Sequence, residues 1–353
     1  MPLHLGHHFY GAGNLGDDFM LAGFLSGLRQ QAAGMACTCS VPFDLAPLRG
    51  RFPEIEWLPY DPAARAQAIA RCEAWLGLGG SPFQSAQSRW FIDHLLDEAR
   101  LCAESGKRMY FLGVGVQTTA ELAVPEVAQL CRQAAAIWTR DAISAARLRT
   151  LLPAGKVEAA ADLAHLFFRA TPPPPAGGGR VTLVANFDYA GWPGQAACLR
   201  AIATLRAKEH VWLAQESREL PGAERALHAA LPPEDRARWQ LVCPDAMEPV
   251  GAPLPRVLAR WPSGEWLVTA RYHAALAGAW AGSKVIIIGI NEKLRGAAAE
   301  LDVPLIAPDA DDATVGRALA AARPVPPVRL QALAESTANA VASFVRSAVA
   351  PGA

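Results

Sequence analysis

The sequence predicts a two-domain α/β protein with two mostly parallel sheets and an active site in the cleft between its halves. Three observations carry this. Short apolar runs alternate with amphipathic segments over the first 165 residues, break at TPPPPAGGG (171–179), and resume from residue 180. A chain of 353 residues is long for one hydrophobic core and comfortable for two. The residues richest in chemistry follow directly after strand segments, where open parallel sheets bind ligands.

In the first half, LHLGHHFY (3–10), MACTCSV (35–41), EIEWLPY (54–60), AWLGLGG (74–80), KRMYFLGVGVQ (107–117) and AAIWTRD (135–141) read as strands. Helical periodicity fills FMLAGFLSGLRQ, 61–72, 88–104, 121–134 and 142–151, and KVEAAADLAH (156–165) closes the set. The proline–glycine run is the clearest linker, stiff in its prolines and loose in its glycines. Beyond it, 180–188, 210–216, 239–245, 265–271 and 283–291 read as strands, and 194–208, 220–230, 272–282 and 312–322 as helices; 246–265 has no assignment. The domain boundaries expected are 1–170, a linker at 171–179, 180–325, and a terminal helix (326–353) of the kind that often packs back on the first lobe.

Thirty-three basic residues balance thirty-three acidic ones, so no whole-chain nucleic-acid footprint exists. Seven scattered cysteines, an odd number in a long chain, read as reduced thiols of a cytoplasmic protein; Cys37 and Cys39 form C-T-C without a later pair to complete a zinc site. The start of the chain lacks a basic stretch followed by an apolar core, and no apolar run reaches membrane-span length. Neither a metal nor a redox cofactor is expected.

Gly11, Gly13 and Gly16 spell G-x-G-x-x-G between a strand and a helix. Asp17 and Asp18 follow at once, putting negative charge where a dinucleotide's pyrophosphate would sit, so the rival readings are an Asn14 and Asp17 contact with a sugar, or a helix cap. His7 and His8 are adjacent on a strand and point to opposite faces, so one at most reaches a cleft. GLGG (77–80) and GVGVQ (113–117) are glycine-rich strand exits, with Gln117 the polar side chain expected in the cleft. Arg140, at the end of an apolar strand, is poised for a carboxylate or phosphate, with an Arg140–Asp141 helix cap as its alternative. Arg271 and His273 are the sharpest pair, a rigid anion fork and a near-neutral proton carrier at a helix start, with Lys293 a further cation. No nucleophile elbow, H-E-x-x-H or phosphate-binding P-loop is present.

The ordered set G-x-G-N-x-G-D (11–17), GLGG, GVGVQ, TRD (139–141) with Ser144, ADLAH (161–165), RYHAALAGAWAG (271–282) and GINEKL (289–294) resembles the polysaccharide pyruvyl transferases. The resemblance implies two Rossmann-like lobes of the glycosyltransferase B kind. It also implies phosphoenolpyruvate as donor and a pyruvate ketal formed across two hydroxyls of a glycan, including a lipid-linked acceptor met at a membrane face. On it, His273 and Arg271 match the family's key pair and Arg140 its first-lobe arginine. His273 would protonate the donor methylene, Arg271, Arg140 and Lys293 would hold its carboxylate and phosphate, and Asp17 would act on the acceptor hydroxyl. Asn14, Gln117, His8, Gly13 and Gly16 complete the expected substrate site, and Arg271→Ala is expected to abolish donor use with the fold intact. The chain departs from the family where NLGDD lacks a following glutamate and where the lysine region reads INEKLRG.

Two other classes fit the same pattern. A two-lobed nucleotide-sugar glycosyltransferase would place Glu216 near a ribose. A non-catalytic binding or scaffold protein would hold Arg271 and His273 apart. A nicotinamide-dependent oxidoreductase trails both.

Overall fold

The first sheet has seven strands: β1 (Pro2–Leu5), β2 (Ala36–Val41), β3 (Ile55–Pro59), β4 (Ala74–Leu78), β5 (Arg108–Val114), β6 (Ala136–Thr139) and β7 (Val157–Ala159). The second has six: β8 (Gly177–Val184), β9 (Glu209–Leu213), β10 (Gln240–Val242), β11 (Gly264–Thr269), β12 (Lys284–Ile288) and β13 (Leu305–Ile306). These come from a computed structural model that describes residues 2–6, 9–84, 89–187 and 191–349. The orders are β3-β2-β1-β4-β5-β6-β7 and β10-β9-β8-β11-β12-β13, and every pairing is parallel. Each sheet is therefore a Rossmann-like, doubly wound one. Its strand order reverses once, between β1 and β4 in the first and between β8 and β11 in the second.

Strands covered on both faces must be apolar along their length rather than alternating, and the central ones are. AWLGL of β4 is buried at every position, and KVIII of β12 at all but its lysine. Crossover helices begin at the polar residues that follow the strands. Asp61, Asp141, Asn291 and Asp311 each accept a backbone N–H in the first turn of the helix they precede.

The chain forms two compact units. One comprises residues up to Ala12, Asp17–Phe167 and the chain from Ala332; the other comprises Gly13–Gly16 and Phe168–Gln331. In the first unit one core gathers around Trp75, Phe111 and Ile137, and Phe344 of the terminal helix (Pro327–Val349) packs on the alternate residues of the same strands. Phe344 packs on Phe24, Tyr110 and Trp138 at ring separations of 6.3, 5.6 and 6.0 Å. Tyr110 donates to the Ser347 carbonyl at 3.0 Å, and Thr337 donates to the Asp162 carbonyl at 3.2 Å. The second unit is filled by residues such as Val268, Ile286, Trp212 and Ile202.

Local structure departs from the sequence expectation in several places. The first strand ends at Leu5, not Tyr10. The glycines of TPPPPAGGG are not linker: Gly177–Gly179 open β8, where Gly177 lies beside Gly264 of β11. The unassigned stretch holds a short helix, Leu254–Leu258, before β11. Seven-residue Leu45–Arg51 and six-residue Pro233–Arg238 are helices too short to show a periodicity. Among the described residues no helix is long and apolar enough to cross a membrane, and the seven cysteines are unbridged, all but Cys243 fully buried.

Beneath the first sheet lies a buried polar cluster. Glu98 accepts from Trp75 Nε1 at 2.9 Å, with His94 Nε2 at 3.5 Å and Arg65 Nε at 3.9 Å from its other oxygen; Arg65 also pairs with Asp97. Burial, only partly opposed by Arg65 and Trp75, pushes the Glu98 carboxyl up to about 8. Burial pushes His4, bonded to Thr38, down to about 4. The signs differ. A histidine held neutral adds stability as pH rises from about 4 to its ordinary 6.5. A carboxyl held protonated binds more protons folded than unfolded, so stability falls as pH rises from 4.5 toward 8. Between pH 6.5 and 8 only Glu98 of the two acts. Denaturant unfolding should therefore lose about 2 kcal/mol across that window. Glu98→Gln should flatten the slope, and an equally steep slope in that variant would show that another group causes it.

Candidate functional site

In the second unit the chemistry gathers at the carboxyl ends of β9 and β11, around residues Gly13–Gly16. Asn14 forms an isolated antiparallel bridge with Glu216. Ser217 donates its backbone N–H to the Gly13 carbonyl at 2.8 Å, and Leu15 N–H reaches the Gln215 carbonyl at 3.3 Å. Asn14 Oδ1 accepts from Gly16 N–H and from Gln215 Nε2, each at 3.1 Å. Gly16 admits no side chain, because a Cβ there would stand 2.2 Å from His273 Nδ1 and 2.9 Å from Gln215 Nε2. Gly13 sits at φ +101° with Ser217 Oγ 2.6 Å from where its Cβ would be. The glycine motif is thus shaped by contact with a histidine and an amide of the second unit.

His273 lies in the first turn of the helix Tyr272–Ala281 and is 3% exposed. The helix is buried almost throughout, ends at left-handed Gly282, and starts from Arg271, whose side chain makes no capping bond to it. The Arg271 side chain faces Glu224, donating from Nε at 2.6 Å and from Nη2 at 3.2 Å to its two oxygens. Glu224 is fully buried; burial pushes its carboxyl up, and the Arg271 fork opposes that. Arg271 therefore neutralises a carboxylate of its own unit. Removing it strands a buried acid, so the fold-neutral outcome expected for Arg271→Ala is corrected. Lys293 stands with its ammonium 5.0 Å from the Tyr272 ring centre, beside the same helix start.

Two residues that sequence reasoning gave no role, or a conditional one, complete this group. Gln215 is 1% exposed and its Oε1 has no hydrogen-bond partner among the described residues. Glu216 is 2% exposed and takes the Arg218 fork at 2.7 and 2.8 Å. Both lie just past β9, the position that marked the others, but the exit AQES (214–217) carries neither a glycine nor a histidine to draw notice.

The first unit holds the remaining candidates. Asp18 accepts Gly11 N–H at 2.7 Å and pairs with Arg51 at 2.6 Å, so it anchors the loop; Asp17, 8% exposed, opens the helix Leu15–Gln31 beside it. Arg140, 1% exposed, lies against Gly115 and donates to the Gly80 carbonyl and Ser81 Oγ, each at 3.2 Å. Asp141 caps its helix through Ser144. Arg140 thus ties the two glycine-rich exits together. Gln117 is half-buried, with its carbonyl held by Arg147. His8 lies outside the described residues. Among the described residues, no three histidine, cysteine or acidic side chains gather as a metal site.

No family model matches the chain, and no curated protein does. Solved structures match nearly end to end. The UDP-GlcNAc 2-epimerase of Neisseria meningitidis bound to UDP-GlcNAc is 11% identical, with 98% of each chain covered and a TM-score of 0.59. Anabaena HepE in complex with UDP-glucose is 11% identical, covering 98% of this chain and 95% of that one, TM-score 0.58. A Rickettsia africae glycosyltransferase is 11% identical, covering 97% and 93%, TM-score 0.53. The fold is that of two Rossmann-like α/β units consistent with the glycosyltransferase B type. These matches overturn the pyruvyl transferase resemblance, and with it phosphoenolpyruvate as donor and the pyruvate ketal as product. The short motifs that carried it are strand exits, which any doubly wound sheet supplies.

Two variants test the geometry. Gly16→Ala must displace the His273 ring and should cost about 1–3 kcal/mol in denaturant unfolding; an unchanged midpoint would mean that the segment does not seat on His273. Glu224→Ala strands Arg271 and should cost about 3–5 kcal/mol, against less than about 1 kcal/mol if the pair were merely a surface one.

Proposed function

We propose that the chain is a sugar-nucleotide enzyme that binds a UDP-sugar on its second unit and transfers the sugar to an acceptor hydroxyl. The observation that carries this reading is the convergence of His273, Gln215 and Asn14 on Gly16, at the start of the helix that follows β11. That helix leaves the sheet beside its β8/β11 reversal, where such folds take their ligands. Its first-turn N–H groups and partial positive charge suit a diphosphate, and Lys293 adds a cation beside them. The matched solved structures with UDP, UDP-glucose or UDP-GlcNAc bound support the same ligand class.

In this reading Glu216 takes the ribose hydroxyls, and Gln215 Oε1 accepts from a donor on the nucleotide sugar. As the bond from the anomeric carbon to the diphosphate breaks, charge grows on the leaving oxygen. The helix start and Lys293 stabilise it there, where the gain applies to the transition state. His273 holds or moves a proton at the leaving diphosphate. The acceptor's oxygen bonds to the anomeric carbon as the bond to the diphosphate breaks, and the acceptor's proton leaves to solvent. Arg140 positions loops rather than binding donor. Epimerisation of the bound UDP-sugar is the second reading, favoured by the fold likeness to UDP-GlcNAc 2-epimerases.

Thermal unfolding with UDP, UDP-glucose, UDP-GlcNAc and phosphoenolpyruvate tests the donor class. A uridine ligand at one hundred times its dissociation constant should add about 2.7 kcal/mol, and phosphoenolpyruvate nothing. Incubation with saccharide acceptors then separates the reactions: free UDP with a heavier acceptor marks transfer, and a new UDP-sugar of unchanged mass marks epimerisation. Stabilisation by phosphoenolpyruvate alone would overturn the reading.

A further inference from the structure

The first unit carries an aromatic cluster that the reading above leaves without a role. Trp90, 45% exposed, opens the helix Arg89–Glu104. Its ring stacks on His94 at 5.6 Å and 7°, and lies 6.2 Å from Phe91, 6.3 Å from Tyr60 and 6.5 Å from Phe9. These rings come from three strand exits: Phe9 follows β1, Tyr60 follows β3, and the Trp90 helix follows β4. Phe9 and Trp90 therefore flank the β1/β4 reversal of the first sheet, the place where a doubly wound sheet takes a ligand.

The cluster is held rigidly from below. His94, 5% exposed, bonds through Nδ1 to the Tyr60 hydroxyl at 2.7 Å, and the Arg65 guanidinium lies 5.2 Å from the Tyr60 ring centre. An exposed tryptophan fixed on a buried imidazole is a preformed flat surface whose ordering cost is met before anything binds. Around it the rim is charged: Arg89 and Asp93 stand on the same helix at 3.4 Å, 66% and 52% exposed. Flat aromatic area beside solvent-facing hydrogen-bonding groups fits a ring with C–H faces and hydroxyl edges; an acyl chain would have no use for the rim.

We propose that Trp90, with Tyr60 and Phe9, forms a stacking platform for a pyranose ring of the acceptor saccharide. This rests on the glycosyl-transfer reading, which assigns the nucleotide to the second unit. Saturation-transfer NMR with methyl glycosides of glucose, galactose, mannose and N-acetylglucosamine, and with uridine, tests it on the full chain without any UDP-sugar. Ring C–H protons of at least one glycoside should saturate, with a dissociation constant on the order of millimolar. Trp90→Ala should weaken that binding about tenfold or more and Trp90→Phe should retain part of it, with circular dichroism unchanged in both. No saturation of any glycoside at about 10 mM, or saturation that survives Trp90→Ala, overturns the proposal. Trp90-dependent binding of uridine in place of glycosides also overturns it. If UDP-sugars fail to stabilise the chain while Trp90-dependent glycoside binding is seen, the platform stands and the donor reading falls.

Discussion

Asn14 accepts from its own loop and from Gln215, and the chemistry of the second unit is arranged around the four-residue segment this fixes. The segment leaves the first unit after Ala12 and rejoins it at Asp17, yet its contacts are with the exits of β9 and β11. Two glycines in it are demanded by proximity. A side chain at Gly16 would occupy the space of His273 and one at Gly13 the space of Ser217. A histidine so crowded has few orientations left, which is the condition a proton-transfer group needs if its geometry is to hold through a reaction.

The arginines beside the helix start and the β9 exit are paired with buried acids. Arg271, the residue most obviously suited to an anion, is committed to buried Glu224, and Arg218 to Glu216. In the proposed reading, the diphosphate is met by the backbone of the helix that starts at Tyr272, with Lys293 alongside. Backbone dipoles fixed by a buried helix need no reorganisation as charge develops, whereas a long side chain must be ordered first. In the first unit the same economy gives Arg140 to the two glycine-rich exits and Asp18 to Arg51 and Gly11.

Fold class was legible because both sheets are wholly parallel and buried on both faces, so β4 and β12 appear as unbroken apolar runs with polar or glycine exits. Strand exits were legible as positions, and Arg271, His273, Lys293, Asn14, Gly13 and Gly16 do gather in one unit. What they do there was not. Pairing of Arg271 with Glu224, 47 residues away in the chain, is a tertiary fact with no local pattern. Assignment of Gly13–Gly16 to the second unit is likewise invisible to a motif that reads only its neighbours. Family identity failed for a related reason. Short glycine, arginine and histidine exits recur wherever this topology does, and their order along the chain follows from the topology as much as from a shared reaction.

The most direct test of the account is a crystal structure with UDP-glucose or UDP-GlcNAc bound. The account predicts the diphosphate at the amino end of the helix Tyr272–Ala281, within hydrogen-bond reach of its first-turn N–H groups, with the ribose at Glu216 and Gln215 Oε1 accepting from the ligand. A diphosphate seated instead against Arg140 and the glycine-rich exits of the first unit, with the helix start empty, would contradict it.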